Sequence, residues 1–392
     1  GTAYATILRY QVGDFSPYAF KTTDYGVSWT LLTTGANGIP GDHPVRVVRE
    51  DPKRQGLLYA GTEFGMFVSF DDGANWQSLQ LNLPATPVSD IKVVGDDLVL
   101  STMGRGFWIL YDVSPIRDAD NVAGPVHLYP ISDAVRTRGR GFFFRAPGPA
   151  DPQYPAAGAN IDYFLEAAPS AAIRLEVRSA DGELVRAFSS EDLGEVVEEA
   201  EPGMREWQLA AIGTPNLPSD SGMHRFTWDL RYPGPWAANE RRSGQGGPLV
   251  PPGTYTATLM IDEVRLSHEF EVMMDPRVAR EGIGVADVTA QAEFIQRVRD
   301  AYSAAQHAVA DLGAISEAND GALPEALQAI HGAMVTNGRR YSPPMLLDQL
   351  QYLYSNIQSA DQRPSADMQA RYEELAAELH GYLQTIAANT TD

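Results

Sequence analysis

The sequence predicts a mainly β chain with an α-helical C-terminus, built as incomplete blades of a β-propeller, then a β-sandwich, then a small helical bundle. Three observations carry that prediction. The pattern Thr/Ser-x-Asp-x-Gly-x-x-Trp is written twice, around Asp24 and Asp71. Apolar and polar residues alternate through much of residues 159 to 275, the period of half-buried strands. From about Ala286 the apolar spacing becomes helical. A chain of 392 residues, 44% of them hydrophobic, holds enough apolar side chains for several separate cores.

The repeat decides the fold of the first third. Aligning the two motifs brings "TAYAT", beside Gly1, against "LLYAGTEFG" from Leu57, and a third copy, "LVLSTMGRGFWIL", follows from Leu98. The middle copy is complete. Its segments "VRVVRE" from Val45, "GLLYAGT" from Gly56, "GMFVSF" from Gly65 and "WQSLQ" from Trp76 read as four strands, the content of one propeller blade. In the turn between the third and fourth strands, the carboxylates of Asp24 and Asp71 can accept hydrogen bonds from turn N–H groups. Gly26 and Gly73 permit positive φ, and Trp29 and Trp76 are expected to pack between neighbouring blades. These six residues are read as a structural device of the blade.

The motif resembles the Asp box of the sialidase-type and BNR-repeat propellers. Across about residues 1 to 115, "KTTDYGVSWT", "VREDP", "LLYAGTEFGMFVSFDDGANW" and "STMGRGFWILYDVSP" together look like the end of bacterial proteins related to the sortilin-type propeller. The third copy departs from the pattern: it has no Asp box, as suits a terminal blade. Gly1 aligns with the second strand of the complete unit, so the chain is expected to start inside a blade. The resemblance implies that a companion chain or precursor segment supplies the remaining blades, because uncovered sheet edges invite aggregation.

Residues 116 to 158 lose any steady period and read as a linker. Within them Arg136, Arg138, Arg140 and Arg145 stand beside Phe142, Phe143 and Phe144; packing between domains is preferred there over nucleic-acid binding. From 159 to 275 the strands "IDYFLEA", "AIRLEVRSADGELVRAF", "MHRFTWDLR", "GTYTATLMI" and "RLSHEFEV" suit a sandwich. The pairing of "RFTWDLR" with "VPPGTYTATL" resembles the small immunoglobulin-like modules at the ends of exported bacterial proteins. The stretches Ser189 to Gly203 and Tyr232 to Pro252 read as long loops, with Trp236 tucked onto the sandwich. From 285 to 390 three helical faces appear: Phe294, Val298, Tyr302, Ala305, Val309 and Leu312; Leu346, Leu350, Leu353 and Ile357; Met368, Tyr372, Leu375, Leu379, Tyr382 and Ile386. A shorter helix around Pro324 to Val335 completes the bundle.

Composition narrows the function. With 51 Asp+Glu against 30 Lys+Arg, the net charge of −21 repels phosphate backbones, so no nucleic-acid partner is expected. No run is long and apolar enough to span a membrane, and residues 1 to 20 lack the pattern of a signal peptide. Cysteine is absent, which removes thiolate chemistry and disulfides. The seven histidines show no metal-type spacing, and no phosphate loop or nucleophile elbow can be written, so neither metal nor cofactor is expected.

Glycoside hydrolysis is the enzyme reading to weigh, because relatives of the Asp-box propellers perform it with two carboxylates. In an up-and-down blade the Asp boxes mark one face, and the turns after the second strands mark the other. That geometry singles out Glu63, Phe64 and Met66, then Met103, Gly104 and Arg105, as ligand-face candidates, with Trp108 in support. Glu63 is expected to pair with Arg105 across the blade boundary rather than to act as an acid. The reading that results is a non-catalytic binding or scaffolding protein, secreted, periplasmic or on the cell surface, with a polysaccharide or protein ligand. The alternative is a sialidase-like or xyloglucanase-like hydrolase that shares its active site with the missing blades.

Overall fold

In the computed structural model, which describes residues 1–122, 124–138, 154–191, 202–239, 242–338 and 341–389, the three repeat copies form three antiparallel sheets. The first holds β1 (Ala3–Thr6), β2 (Ala19–Thr22) and β3 (Thr30–Leu31). The second holds β4 (Val45–Glu50), β5 (Leu58–Thr62), β6 (Met66–Ser69) and β7 (Gln77–Ser78), the four strands expected of the complete copy. The third holds β8 (Val88–Val94), β9 (Asp97–Thr102) and β10 (Phe107–Leu110). No closed ring is present among the described residues.

The sheets stack through two cores. Ala19, Leu32 and Ile39 from the first copy meet Val48, Leu58, Ala60, Phe67 and Trp76 of the second. On its other side the second sheet sets Val47, Leu57, Tyr59, Met66 and Val68 against Val88, Ile91, Leu98 and Leu100 of the third. This explains why β5 and β6 are apolar at successive positions: a strand covered on both faces has no polar side to show water. Gly61 is where the approach is tightest. A Cβ there would come within 2.8 Å of both Val47 and Val88.

After β10 the short helix α1 (Ser114–Arg117) is locked back onto the sheets. Arg117 donates from Nε to both oxygens of buried Asp51 at 2.9 Å, and also binds Asp96. Asp51 takes further hydrogen bonds from the Tyr59 hydroxyl and the N–H groups of Lys53 and Arg54. A buried carboxylate needs that many donors to offset its lost hydration. The chain divides near here into two compact units, Gly1–Val122 and Ala123–Asp392.

The stretch 116–158, expected to be a linker, contributes two strands to the second unit. β11 (Val126–Leu128) pairs with β13 (Ala159–Leu165), and β12 (Ala134–Arg136) pairs in parallel with the last strand of its sheet. The remaining strands are β14 (Arg174–Ser179), β15 (Leu184–Ser189), β16 (Gly222–Trp228), β17 (Gly253–Ile261) and β18 (Val264–Met274). They form two sheets, in the orders β11-β13-β16 and β12-β18-β17-β14-β15. Both contribute to one core, in which Trp228 meets Tyr255 and Phe270 edge-on. One helix that the sequence reading did not assign, α2 (Pro202–Ala211), begins at the end of the stretch expected as a loop and rests Trp207, Ala210 and Ala211 on β15.

Past α3 (Pro276–Arg280), four helices share a second core: α4 (Val285–Ala318), α5 (Glu325–Met334), α6 (Leu346–Ile357) and α7 (Ala366–Asn389). Every apolar residue read from the helical period lies in it or against it. Arg136 and Arg138 both bind Asp361 in the connection between α6 and α7, so this half of the basic cluster works in packing. Arg140, Arg145 and Phe142 to Phe144 lie outside the described residues. Trp236 packs on α4 rather than on a sheet: its ring stacks on His307 at 3.6 Å, and its backbone N–H donates to the Ser303 hydroxyl.

Candidate functional site

The two Asp-box turns link β2 to β3 and β6 to β7. In each, the first residue's hydroxyl donates to the aspartate and accepts from the glycine N–H: Thr22 to Asp24 at 2.8 Å and Gly26 to Thr22 at 2.9 Å; Ser69 to Asp71 and Gly73 to Ser69, both at 2.9 Å. The aspartate also accepts from the residue four positions on, through backbone and side chain, Ser28 in one and Asn75 in the other. The preceding residue and the glycine are left-handed in both turns, Tyr25 and Gly26 at φ 63° and 89°, Asp72 and Gly73 at 60° and 89°. These bonds from Ser28 and Thr22 hold the Asp24 carboxyl down at about 2. For Asp71 burial works to raise the value, and the bonds from Asn75 and Ser69 outweigh it and lower it.

The tryptophans part company. Trp76 is 4% exposed, donates its indole N–H to the Leu32 carbonyl at 3.1 Å, and has its backbone N–H held by the Asn37 carbonyl. Trp29 is 46% exposed, contrary to the expectation that both pack between sheets. The reason is spatial. Trp76 lies on the loop that trails the first sheet, and among the described residues no such loop lies over Trp29.

The ligand-face candidates sit at the opposite ends of the strands, in two equivalent turns. Glu63 N–H donates to Pro44 O between β5 and β6, as Met103 N–H does to Pro87 O between β9 and β10. The pairing expected between Glu63 and Arg105 is not made. Glu63 instead binds Arg46 of its own sheet at 2.6 Å, while Arg105 is exposed. The nearer strand wins because Arg46 reaches Glu63 without bridging two sheets. Phe64, 48% exposed, rests against the His43 ring at 4.6 Å. Trp108 does support its turn, donating its indole N–H to the Arg105 carbonyl at 3.0 Å. Met66 is buried in the core and faces no ligand, whereas Met103 is exposed.

Beside Glu63 runs a groove of about 350 Å³ that no sequence motif marks, lined by Tyr4, Thr6, Arg46, Arg49, Ser89 and Asp90. It follows the first strands of the second and third sheets. Each of these strands carries a bulge at its second residue, between Val45 and Val47 in β4 and between Val88 and Asp90 in β8. Such bulges re-aim side chains, here Arg46 and Ser89. Arg49 binds Asp90 at 2.6 Å, and the Arg46 Nε is buried without a hydrogen-bond partner among the described residues. The available signal was the pair of arginines interrupting the apolar run "VRVVRE".

No cluster of three or more metal-ligating side chains is found among the described residues, and no helix among them is long and apolar enough to cross a membrane. No family model matches the chain, and no curated protein matches it. Among solved structures, it overlays part of PorZ, a surface component of the type-IX secretion system of Porphyromonas gingivalis, at 12% identity and a TM-score of 0.23, covering 70% of this chain and 37% of that one. The extracellular domain of a hybrid two-component system of B. thetaiotaomicron gives 10% and 0.22, covering 72% and 36%. The BSP domain of a biofilm-associated protein gives 8% and 0.16, covering 55% and 22%. The chain thus spans little more than a third of the first two, and overlap this slight transfers neither fold nor function.

Proposed function

We propose that this chain is part of a non-catalytic binding or scaffolding protein of the bacterial envelope or exterior. In this reading the three sheets of the first unit are blades of an Asp-box propeller whose remaining blades come from a companion chain or precursor segment. The two-sheet domain is immunoglobulin-like, and the ligand is a polysaccharide or protein held at the end of the first unit that carries Glu63, Phe64 and the Arg46 groove. One observation carries the preference for binding over hydrolysis. The two carboxylates at the groove are ion-paired to arginines of the same unit, Glu63 to Arg46 and Asp90 to Arg49, each at 2.6 Å. A hydrolase needs one carboxyl free to protonate the leaving oxygen.

The test is a glycan-binding screen of the whole chain run beside chromogenic glycosides. Retention of a glycan or protein ligand that is lost in Arg46→Ala, with no turnover, supports the reading. Turnover of any glycoside that is lost in Glu63→Gln replaces it with the hydrolase.

A further inference from the structure

The third sheet stops one strand short, and the second sheet shows what is missing. The hairpins β5–β6 and β9–β10 are in the same register: Gly65 O accepts from Thr62 N–H at 2.8 Å, and Gly106 O from Thr102 N–H at 3.2 Å. Main-chain groups alternate in direction along a strand, so Phe107 and Ile109 present theirs outward as Met66 and Val68 do. In the second sheet those groups are used. Met66 O accepts from Leu79 N–H at 2.9 Å, and Val68 pairs with Gln77 of β7. In the third sheet β10 pairs only with β9 among the described residues.

The side chains tell the same story. All four residues of β6 are buried, whereas Phe107 is 81% and Ile109 42% exposed. "FWIL" is apolar on both faces, the composition of a covered strand and a liability on an open edge. The chain after Leu110 does not turn back to cover it. It lacks the Asp box that makes that turn in the other copies, and it is fastened elsewhere through Val113 N–H to Asp96 O and Arg117 to Asp51.

We infer that the outer edge of β10 is a docking site for one extended segment of a companion polypeptide, added antiparallel as the fourth strand in the manner of β7. The segment donates an N–H to Phe107 O, exchanges hydrogen bonds with Ile109, and lays apolar side chains over Phe107 and Ile109. This sharpens the companion part of the function proposed above and is independent of the ligand part. Two copies of this chain are the less favoured occupants, because each carries a net charge of −21.

The probe is a synthetic peptide with the sequence of residues 74–80, "ANWQSLQ", this chain's own fourth strand. Amide hydrogen exchange is followed in the whole chain, without peptide and with it at millimolar concentration. Without peptide, Ile109 N–H is expected to exchange fast and Val68 N–H slowly. Peptide slows Ile109 by about tenfold or more, and the same peptide N-methylated at its leucine does not. Four results overturn the inference: an Ile109 N–H already as slow as Val68, no slowing by the peptide, equal slowing by the N-methylated peptide, or a chain that dimerises through this edge. None of these bears on glycan retention, so the ligand reading fails or survives separately.

Discussion

The turn around Asp24 and the turn around Asp71 hold the same five side-chain hydrogen bonds and the same left-handed pair, yet Trp76 is buried and Trp29 lies half open. The hydrogen bonds join residues within four positions of one another, so an eight-residue motif makes them wherever it occurs. The burial of its tryptophan depends on a loop forty residues away, Leu32 to Gly38, that clasps Trp76 through two carbonyls. The motif therefore shapes a corner and offers an indole, and the neighbouring sheet decides whether that indole contributes to stability.

The sharpest way to break the comparison is to truncate both rings. Trp76→Ala is expected to destabilise the chain by about 3 to 5 kcal/mol, since it leaves a cavity and removes the buried indole hydrogen bond to the Leu32 carbonyl. Trp29→Ala should cost less than about 1 kcal/mol. Denaturant unfolding of both variants measures the gap, and equal losses would erase the distinction. A step down, Asp71→Ala removes the acceptor that orders its turn and is expected to cost on the order of 1 kcal/mol. Asp24→Ala should move stability in the same direction.

Spectroscopy gives a finer reading. Trp29→Phe should remove an acrylamide-quenchable part of the fluorescence, and Trp76→Phe should leave that part in place. The smallest effect is on pH dependence. Because folding depresses the Asp24 value from about 4 to about 2, its contribution is complete above about pH 4 and is lost as pH falls through about 2. The stability difference between the native chain and Asp24→Asn should therefore shrink over that interval. A difference that stays constant down to pH 2 would mean the turn does not hold the carboxylate as described.

Much of the fold was legible where periodicity had room to repeat. The four strands of the middle copy and the apolar faces of α4, α6 and α7 lie where their spacing placed them. Short elements with distant partners were not legible. β12 has three residues, and its pairing with β18 spans more than a hundred positions. α2 follows an acidic stretch, and its buried Trp207, Ala210 and Ala211 make one narrow stripe.

At the candidate site the turns are legible in the sequence and the ion pairing is not. Position in the repeat brings Glu63 and Arg105 to equivalent turns of neighbouring sheets, but Arg46, which belongs to no motif, reaches Glu63 first. The groove escaped notice because bulges in β4 and β8 re-aim Arg46 and Ser89, and a bulge changes direction without changing composition.

By itself the sequence determined the corners, the strand content of the middle copy and the helical faces, because each follows from contacts within a few residues. Only the tertiary structure decided which tryptophan is enclosed, which arginine holds Glu63, and which strand edge is left uncovered. Those outcomes depend on surfaces brought together from far along the chain, and no local pattern encodes the distance between them.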